Sequence, residues 1–201
     1  MNTSIKLFKP ELAYAGLHNL DFTLNKNDLV LDIGGGQNTF PRANIVLEKF
    51  SDDNSQRLGR DLSIREGQQL IIGDADNIPF PDKHFRMVFS SHVFEHIENL
   101  PKAIDEINRV SEYCFAAFPK GDFDRFVAKR TWGHVNFLWW LDGVLFIKKR
   151  TQEDFSDFFS SVQHSLWHGN YHYNEHFESL ERDVWETRLF VKTPLLYKVI
   201  K

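Results

Sequence analysis

Three consecutive glycines follow an acidic residue at the end of an apolar run. The run from Leu29 to Ile33 contains Asp32 and continues directly into Gly34, Gly35 and Gly36. Glycine has no Cβ atom, so it reaches positive φ and lets a ligand approach the backbone, while a carboxylate at a strand end attracts a polar or cationic group. The stretch therefore predicts a turn that binds a nucleotide-like cofactor.

Further polar residues that suit the same site follow at the ends of later apolar runs. Glu48 ends the second run, Asp74 and Ala75 follow the third, and the segment from Ser90 to His96 ends the fourth. Each of them alone has a simpler explanation, such as a surface charge for Glu48 or a turn residue for Asp74. Their order favours a single site, because ligands of open α/β folds bind at the carboxyl ends of the strands.

The elements that must position these residues form an alternation of strands and helical segments. The strand-like runs are apolar without regular polar alternation, which is typical of strands covered on both faces. They span residues 29–33, 44–48, 69–72, 85–90 and 113–118. The pattern predicts an α/β fold with a central, mostly parallel sheet and helices on both faces.

A helix is predicted between the fourth and fifth strands, with Asn99 placed to cap it. Its apolar stripe consists of Leu100, Ala103, Ile104, Ile107 and Val110. The opposite face is expected to be solvated through Lys102, Asp105, Glu106 and Arg109. Shorter helices are expected over residues 10–20 and 155–162, and an irregular loop over residues 51–68.

The C-terminal part of the chain has a different pattern. Residues 137–141 and 144–148 flank Asp142-Gly143, a pair that suits a tight turn. An antiparallel C-terminal hairpin is therefore predicted as an addition to the sheet. Residues 184–191 are expected to return as a last strand.

Composition narrows the functional classes. The 201 residues are 42% hydrophobic, which is enough for one sizeable domain over residues 1–201. A net charge of -4 provides no basic field, so nucleic acid is not expected as an obligatory partner. No run approaches the roughly 18 apolar residues that span a bilayer, and a cytoplasmic protein is expected. Cys114, the only cysteine, is predicted to be a buried strand residue.

Taken together, the ordered motifs resemble the class I S-adenosylmethionine-dependent methyltransferases, in particular small single-domain members with an Asp-Ala adenine motif. The resemblance covers about residues 27–120 and implies a Rossmann-like methyltransferase fold with S-adenosyl-L-methionine as cofactor. Residues 121–201, with the hairpin, would then form the acceptor side.

The resemblance also implies roles for individual residues. The implied cofactor-binding residues are Asp32 for the amino group, Gly34, Gly35 and Gly36 for the methionine portion and ribose, Glu48 for the ribose hydroxyls, Asp74 and Ala75 for adenine, and Ser90 in the motif near the methyl group. Residues 78–80 would pack beside the base.

The first crossover departs from the family pattern. Between Ile33 and Asn44 lie the residues Gly34 to Ala43, including Pro41, which leave no room for both a glycine loop and a helix of several turns. The first crossover helix is therefore predicted to be shortened or absent.

Methyl transfer from a sulfonium is an in-line displacement, so the protein mainly aligns the acceptor, the methyl group and the leaving sulfur. No metal is required, and none is expected. A base near neutral pH would help an acceptor that loses a proton, and histidine suits that role. His92, Glu95 and His96 are the catalytic candidates, with His134 as a further group, although histidines four residues apart also pack on one helix face.

Four more histidines recur every four residues, at His164, His168, His172 and His176. On a continuous helix they would form a ridge suited to a metal ion. Gly169-Asn170 interrupts such a helix, so a solvated or substrate-facing loop is favoured over a metal site.

The predicted function is methyl transfer to a small molecule, a sugar or a lipid-linked intermediate. The alternative is a methyltransferase-like module that has lost turnover and serves in binding or regulation, which the short first crossover favours. A nicotinamide-dependent reductase would need a true helix after the glycines and a hydride-transfer pair such as tyrosine and lysine, which are not evident in the sequence.

Overall fold

The computed structural model describes residues 5–6, 22–54, 57, 59–126, 133–151 and 186–200. The helices predicted over residues 10–20 and 155–162 and the four histidines from His164 to His176 lie outside the described residues. In chain order the elements are β1 (Ile5–Lys6), β2 (Thr23–Leu24), β3 (Val30–Ile33), β4 (Ile45–Glu48), β5 (Gln69–Ile72), β6 (Phe85–Ser91), a 3₁₀ turn (Phe94–His96), α1 (Leu100–Val110), β7 (Ser111–Pro119), α2 (Gly121–Phe126), β8 (Asn136–Leu141), β9 (Val144–Lys149), β10 (Glu186–Lys192) and β11 (Leu196–Ile200).

A six-stranded sheet in the order β10-β7-β6-β3-β4-β5 forms the centre of the described structure. Strands β3 to β7 run parallel, and β10 pairs antiparallel with β7. The first strand of this sheet along the chain is β3, which lies in the middle. The next two strands, β4 and β5, extend the sheet to one edge, and β6 returns to the other side of β3, so the strand order reverses between β3 and β6. Ligands of doubly wound sheets bind at this reversal. The predicted Rossmann-like, mostly parallel sheet is confirmed.

Alternating strand residues divide the core between the two faces of this sheet. One face packs against the apolar stripe of α1 and against Leu138, Leu145 and Ile147 of the hairpin β8–β9. Among the described residues, the other face is covered by non-helical segments that contribute Phe22, Leu24, Phe40 and Ala43. Helices on both faces are thus not seen within the described ranges, where α1 covers one face only. None of the helices described there is long and apolar enough to cross a membrane.

The predicted hairpin forms, but it does not extend the central sheet. Strands β8 and β9 pair antiparallel around Asp142-Gly143, and β11 joins β9 in parallel, which gives a separate three-stranded sheet. The antiparallel addition to the central sheet is β10 instead, which corresponds to the last strand expected over residues 184–191. Cys114 is fully buried in β7, as predicted, and burial raises the pKa of its thiol to about 12.

Helix α1 begins and ends within the predicted stripe, with two differences in detail. Asn99 occupies the N-cap position without a side-chain capping bond among the described residues, and its carbonyl accepts the Ala103 N–H at 3.1 Å. Glu106 and Arg109 are not simply solvated, because both bind the loop that follows β5. The polar face of α1 therefore also supports a loop at the edge of the sheet.

The first crossover contains turns and no helix, as predicted. Residues of the segment that precedes β5 form hydrogen bonds with the polar groups of this crossover. Gln68 accepts from the Thr39 hydroxyl at 2.8 Å and donates to the Phe40 carbonyl at 2.8 Å, and Arg65 Nε donates to the Thr39 carbonyl at 3.1 Å. Hydrogen bonds from the connection between β4 and β5 therefore hold the first crossover in place, where a crossover helix would otherwise pack.

Replacing Gln68 with alanine is expected to destabilise the crossover, because the Thr39 hydroxyl and the Phe40 carbonyl would lose their partner. We expect the free energy of unfolding to fall by about 1–3 kcal/mol in chemical denaturation. Gln69→Ala is the matched control, since Gln69 is exposed on edge strand β5, and its effect is expected to stay within about 0.5 kcal/mol. Equal effects of the two substitutions would contradict this account of the crossover.

Candidate functional site

The carboxylate of Asp32 lies buried at the end of β3, beneath the glycine loop. Its Oδ2 atom accepts the Phe40 N–H at 2.7 Å, while Oδ1 is buried and has no hydrogen-bond partner within the described residues. A Cβ atom on Gly35 would lie 2.4 Å from Oδ2, so only glycine fits over the carboxylate. Burial raises the pKa of Asp32 to about 7; the Phe40 N–H opposes this shift and Glu48 adds to it.

Glu48, at the end of β4, binds the same loop from the other side. Its Oε1 accepts the Gly36 N–H, and its Oε2 lies 3.9 Å from Nη1 of Arg57. Burial raises the pKa of Glu48, against the influence of the Gly36 N–H and the Arg57 guanidinium. The carboxylate therefore links the glycine loop to the connection between β4 and β5.

Arg57 is a buried residue of this site that the sequence did not single out. Its guanidinium donates to the carbonyls of Phe50 at 2.9 Å and Ser51 at 3.1 Å, and its Cδ atom lies 3.5 Å from where a Cβ atom on Gly36 would stand. In the sequence it is one of several arginines in a polar loop, and no spacing distinguishes it from Arg60. Its role depends on the path of the loop, which the sequence pattern does not specify.

Asp74 and Ala75 lie beyond the end of β5. Asp74 forms an ion pair with Lys49 at 2.6 Å, and Ala75 is buried. Burial opposes ionisation of Asp74, but the ion pair outweighs it and lowers the pKa of the carboxyl group. Asp74 is thus ionised and half-exposed, with Lys49 as its partner.

The loop after Asp74 is anchored by α1. Arg109 donates to the carbonyls of Ile78 at 2.9 Å and Phe80 at 2.7 Å, while Glu106 accepts the Ile78 N–H at 2.8 Å. Arg109 also binds Glu106 directly at 2.7 Å. These contacts hold the segment that the sequence predicted to lie beside the base.

His92 directly follows β6 and has a left-handed conformation, with φ of 56°. Its Nε2 atom lies 2.8 Å from Glu186 on β10, and its Nδ1 atom lies 3.4 Å from Glu95. Burial disfavours a charged ring, but the two carboxylates outweigh it and raise the pKa of His92 to about 9. His92 is therefore protonated at neutral pH and links β6 to β10.

The segment after β6 contacts the glycine loop. A Cβ atom on Gly34 would lie 2.5 Å from Cγ2 of Val93, so this approach also requires glycine. Ser90 pairs in register with Ile33 and is buried, and its hydroxyl has no hydrogen-bond partner among the described residues. The two segments meet where the strand order reverses.

His96 and His134 face each other beside this segment. Their rings are edge to face, with centroids 4.6 Å apart. His96 donates from Nδ1 to the Gly133 carbonyl at 3.1 Å, and His134 Nδ1 lies 2.8 Å from the buried carboxylate of Asp124 in α2. Burial lowers the pKa of His96, so this ring is neutral at neutral pH.

The predicted site residues thus lie at the carboxyl ends of adjacent strands β3, β4, β5 and β6. Direct contacts join the glycine loop to Asp32, Glu48 and Val93. Asp74 contacts Lys49 rather than the glycine loop in the described contacts. The individual roles of these residues in binding or catalysis stay predictions.

Comparison with known proteins identifies a family for this region. Residues 31–112 match the family model described as "Methyltransferase domain". The "Ubiquinone/menaquinone biosynthesis C-methyltransferase UbiE" of Neisseria meningitidis serogroup C is 35% identical over 113 residues, which cover 48% of this chain and 46% of that protein. The UbiE protein of Laribacter hongkongensis is 32% identical over 117 residues, which cover 50% and 48%. The chain spans about half the length of these curated relatives.

Solved structures of methyltransferases show a more distant likeness. A SAM-dependent methyltransferase from Thermotoga maritima is 16% identical with a TM-score of 0.44, covering 60% of this chain and 58% of its own. An S-adenosylmethionine-dependent methyltransferase from Mesorhizobium loti is 17% identical with a TM-score of 0.37, covering 48% of each chain. The similarity to methyltransferases rests on the sequence match over residues 31–112 and on the order of the parallel strands. By these two features residues 31–112 are similar to the methyltransferase domain family.

Proposed function

We propose that this chain binds S-adenosylmethionine at the carboxyl ends of β3 to β6 and transfers its methyl group to a small-molecule acceptor. The observation that carries the proposal is the buried Oδ1 atom of Asp32, which lacks a hydrogen-bond partner within the described residues. A buried carboxylate oxygen without a partner is costly, and a cationic donor offsets that cost. The amino group of the cofactor is such a donor.

Glu48 and Asp74 support the same placement of the cofactor. The 3.9 Å between Glu48 Oε2 and Arg57 is longer than a hydrogen bond, so this oxygen retains the capacity to accept from ribose hydroxyls. Asp74 is ionised, and its partner Lys49 is exposed, so the exocyclic amine of adenine can compete for the carboxylate. Exposed ion pairs of this kind contribute about 1 kcal/mol or less.

His92, Glu95 and His96 retain their proposed place near the transferred methyl group. Val93 lies among them and contacts Gly34, which puts this segment beside the loop that would hold the methionine portion. His92 is protonated between two carboxylates, so in this proposal it positions the segment and does not accept a proton. In-line transfer needs alignment above all, and a rigid segment supplies it.

For the acceptor we propose a hydroxylated ring of the reduced-quinone class. The support is the similarity to proteins named for C-methylation in ubiquinone and menaquinone biosynthesis. The match to the methyltransferase domain model ends at residue 112, before the hairpin region, so it carries no information on the acceptor pocket that we propose there. Sugars and lipid-linked intermediates are the other outcomes of an acceptor screen.

Isothermal titration of the full chain with S-adenosylhomocysteine tests the cofactor site. We expect binding at a single site, and at least a tenfold weaker affinity for Asp32→Asn, because the amide cannot neutralise the ammonium group. Glu112→Gln is the matched control, since it removes a carboxylate near the amino ends of β6 and β7 and is expected to leave the affinity unchanged. A silent titration at millimolar ligand would refute the enzyme proposal and favour the non-catalytic module.

The affinity for S-adenosylhomocysteine is expected to depend on pH through Asp32. With a pKa of about 7 in the free protein, Asp32 is ionised above this pH and protonated below it. The dissociation constant should therefore rise as the pH falls from 7.5 to 5.5, by at most about 25-fold. Asp32→Asn should abolish the Asp32 contribution, and an unchanged pH profile in this variant would contradict the assignment.

Incubation with S-adenosylmethionine and a reduced quinone that lacks a ring methyl group tests the acceptor class. A product heavier by one methylene group in mass spectrometry is the expected result. In this assay His92→Ala should lower turnover more than cofactor affinity. The substitution removes the ring that bridges the carboxylates of Glu95 and Glu186, and it thereby loosens the segment after β6. Equal loss of both, or loss of neither, would count against this role.

A further inference from the structure

Two segments that are distant in sequence are tied together beyond the end of β6. The 3₁₀ turn Phe94–His96 lies against residues 133–136. The Val135 N–H donates to the Glu95 carbonyl at 2.7 Å, and the buried Asn136 side chain donates to the carbonyls of Phe94 at 3.2 Å and Ile97 at 2.8 Å. The relative position of the side chains on these two segments is therefore well defined.

These segments bring one carboxylate and two imidazoles together. A carboxylate oxygen of Glu95 and one ring nitrogen each of His96 and His134 all lie within 4.8 Å of one another. Glu95 is 1% exposed, and neither of its carboxylate oxygens accepts a hydrogen bond within the described part of the chain. Its ion pair with His92, at 3.4 Å, leaves the other oxygen without a described partner.

One ring nitrogen of each histidine, Nδ1, is already engaged. His96 donates from Nδ1 to the Gly133 carbonyl, and His134 uses Nδ1 to contact the buried Asp124 carboxylate. An Nδ1–H bond to a carbonyl or carboxylate fixes the tautomer and leaves the Nε2 lone pair for another partner. Histidines that bind metal ions are held by bonds of this kind.

We infer that Glu95, His96 and His134 form a binding site for one divalent transition-metal ion. Two imidazoles and a carboxylate suit Zn²⁺, Fe²⁺ or Co²⁺, whereas Mg²⁺ and Ca²⁺ prefer oxygen ligands alone. Bond lengths of about 2.1 Å place ligand atoms roughly 3 to 3.5 Å apart, so the distances between the three ligand atoms, all within 4.8 Å, shorten by at most about 1.3 to 1.8 Å on binding. Three protein ligands leave coordination positions open.

The location gives the ion a specific task, which rests on the proposed methyl transfer. Glu95 and His96 follow closely after Val93, which contacts the glycine loop, so we place the ion on the side of the site where the proposed methyl group lies. An ion there would bind a hydroxyl group of the acceptor and favour its ionised form, with the proton leaving to solvent. This inference differs from the sequence-based expectation that no metal is present, and it uses none of the histidines from His164 to His176.

Titration of Co²⁺ and Zn²⁺ into the chelator-treated full chain, without cofactor, tests the site directly. The expected result is binding of one ion per chain, with a visible Co²⁺ absorption band that disappears when Zn²⁺ displaces the Co²⁺. We expect His134→Ala and Glu95→Gln to weaken binding by about 100-fold, and Asp124→Asn by about 10- to 100-fold. His84→Ala, which removes a histidine that packs on Phe80, is the matched control and is expected to bind as the parent does.

Circular dichroism of each variant separates loss of a ligand from loss of the fold, and Asp124→Asn keeps the test meaningful if His134→Ala unfolds. Absence of one-to-one binding in the parent chain, or unchanged affinity in folded Glu95→Gln and Asp124→Asn, would overturn the inference. Titration of S-adenosylhomocysteine into the same metal-free protein separates the two proposals. Cofactor binding without metal binding refutes only the metal site, and metal binding without cofactor binding refutes only the proposed function.

Discussion

The hydrogen bond between the Asp32 carboxylate and the Phe40 N–H is the interaction on which the site depends. It closes the first crossover on itself at the point where a longer chain would form a helix. Because the crossover is short, the glycine loop lies directly over the carboxylate. The carboxylate occupies the space that a side chain at Gly35 would need. The placement of Gly36 against Glu48, and of Arg57 against Gly36, follows from this closure.

The parallel sheet and its edge were accessible from the sequence because they depend on local patterns. Apolar runs define β3, β4, β6 and β7, and the apolar stripe from Leu100 to Val110 defines α1, since burial dictates these residue types, while β5 at the edge of the sheet is apolar but only partly buried. Asp32, Glu48 and Asp74 could be placed at one edge because parallel strands share the direction of their carboxyl ends. Only the order of the motifs was needed to place them.

Other features depend on contacts between distant segments and had no local signal. The hairpin turn at Asp142-Gly143 was evident, but the choice between joining the central sheet and pairing with β11 depends on how the C-terminal strands pack. Arg57 became part of the site through the path of its loop. The pairing of His96 with His134 bridges the turn after β6 and the segment before β8, and the spacing of the histidines does not reveal it.

The close approach of Gly34 and Val93 ties the position of the glycine loop to that of the turn after β6. Gly34 belongs to the loop proposed to hold the methionine portion, and Val93 precedes the turn that carries Glu95 and His96. A displacement of the glycine loop when the cofactor enters would push on Val93 and shift that turn. Under the proposed function, the turn that carries Glu95 and His96 would then reach its final position only after the cofactor is bound, and the acceptor would bind second.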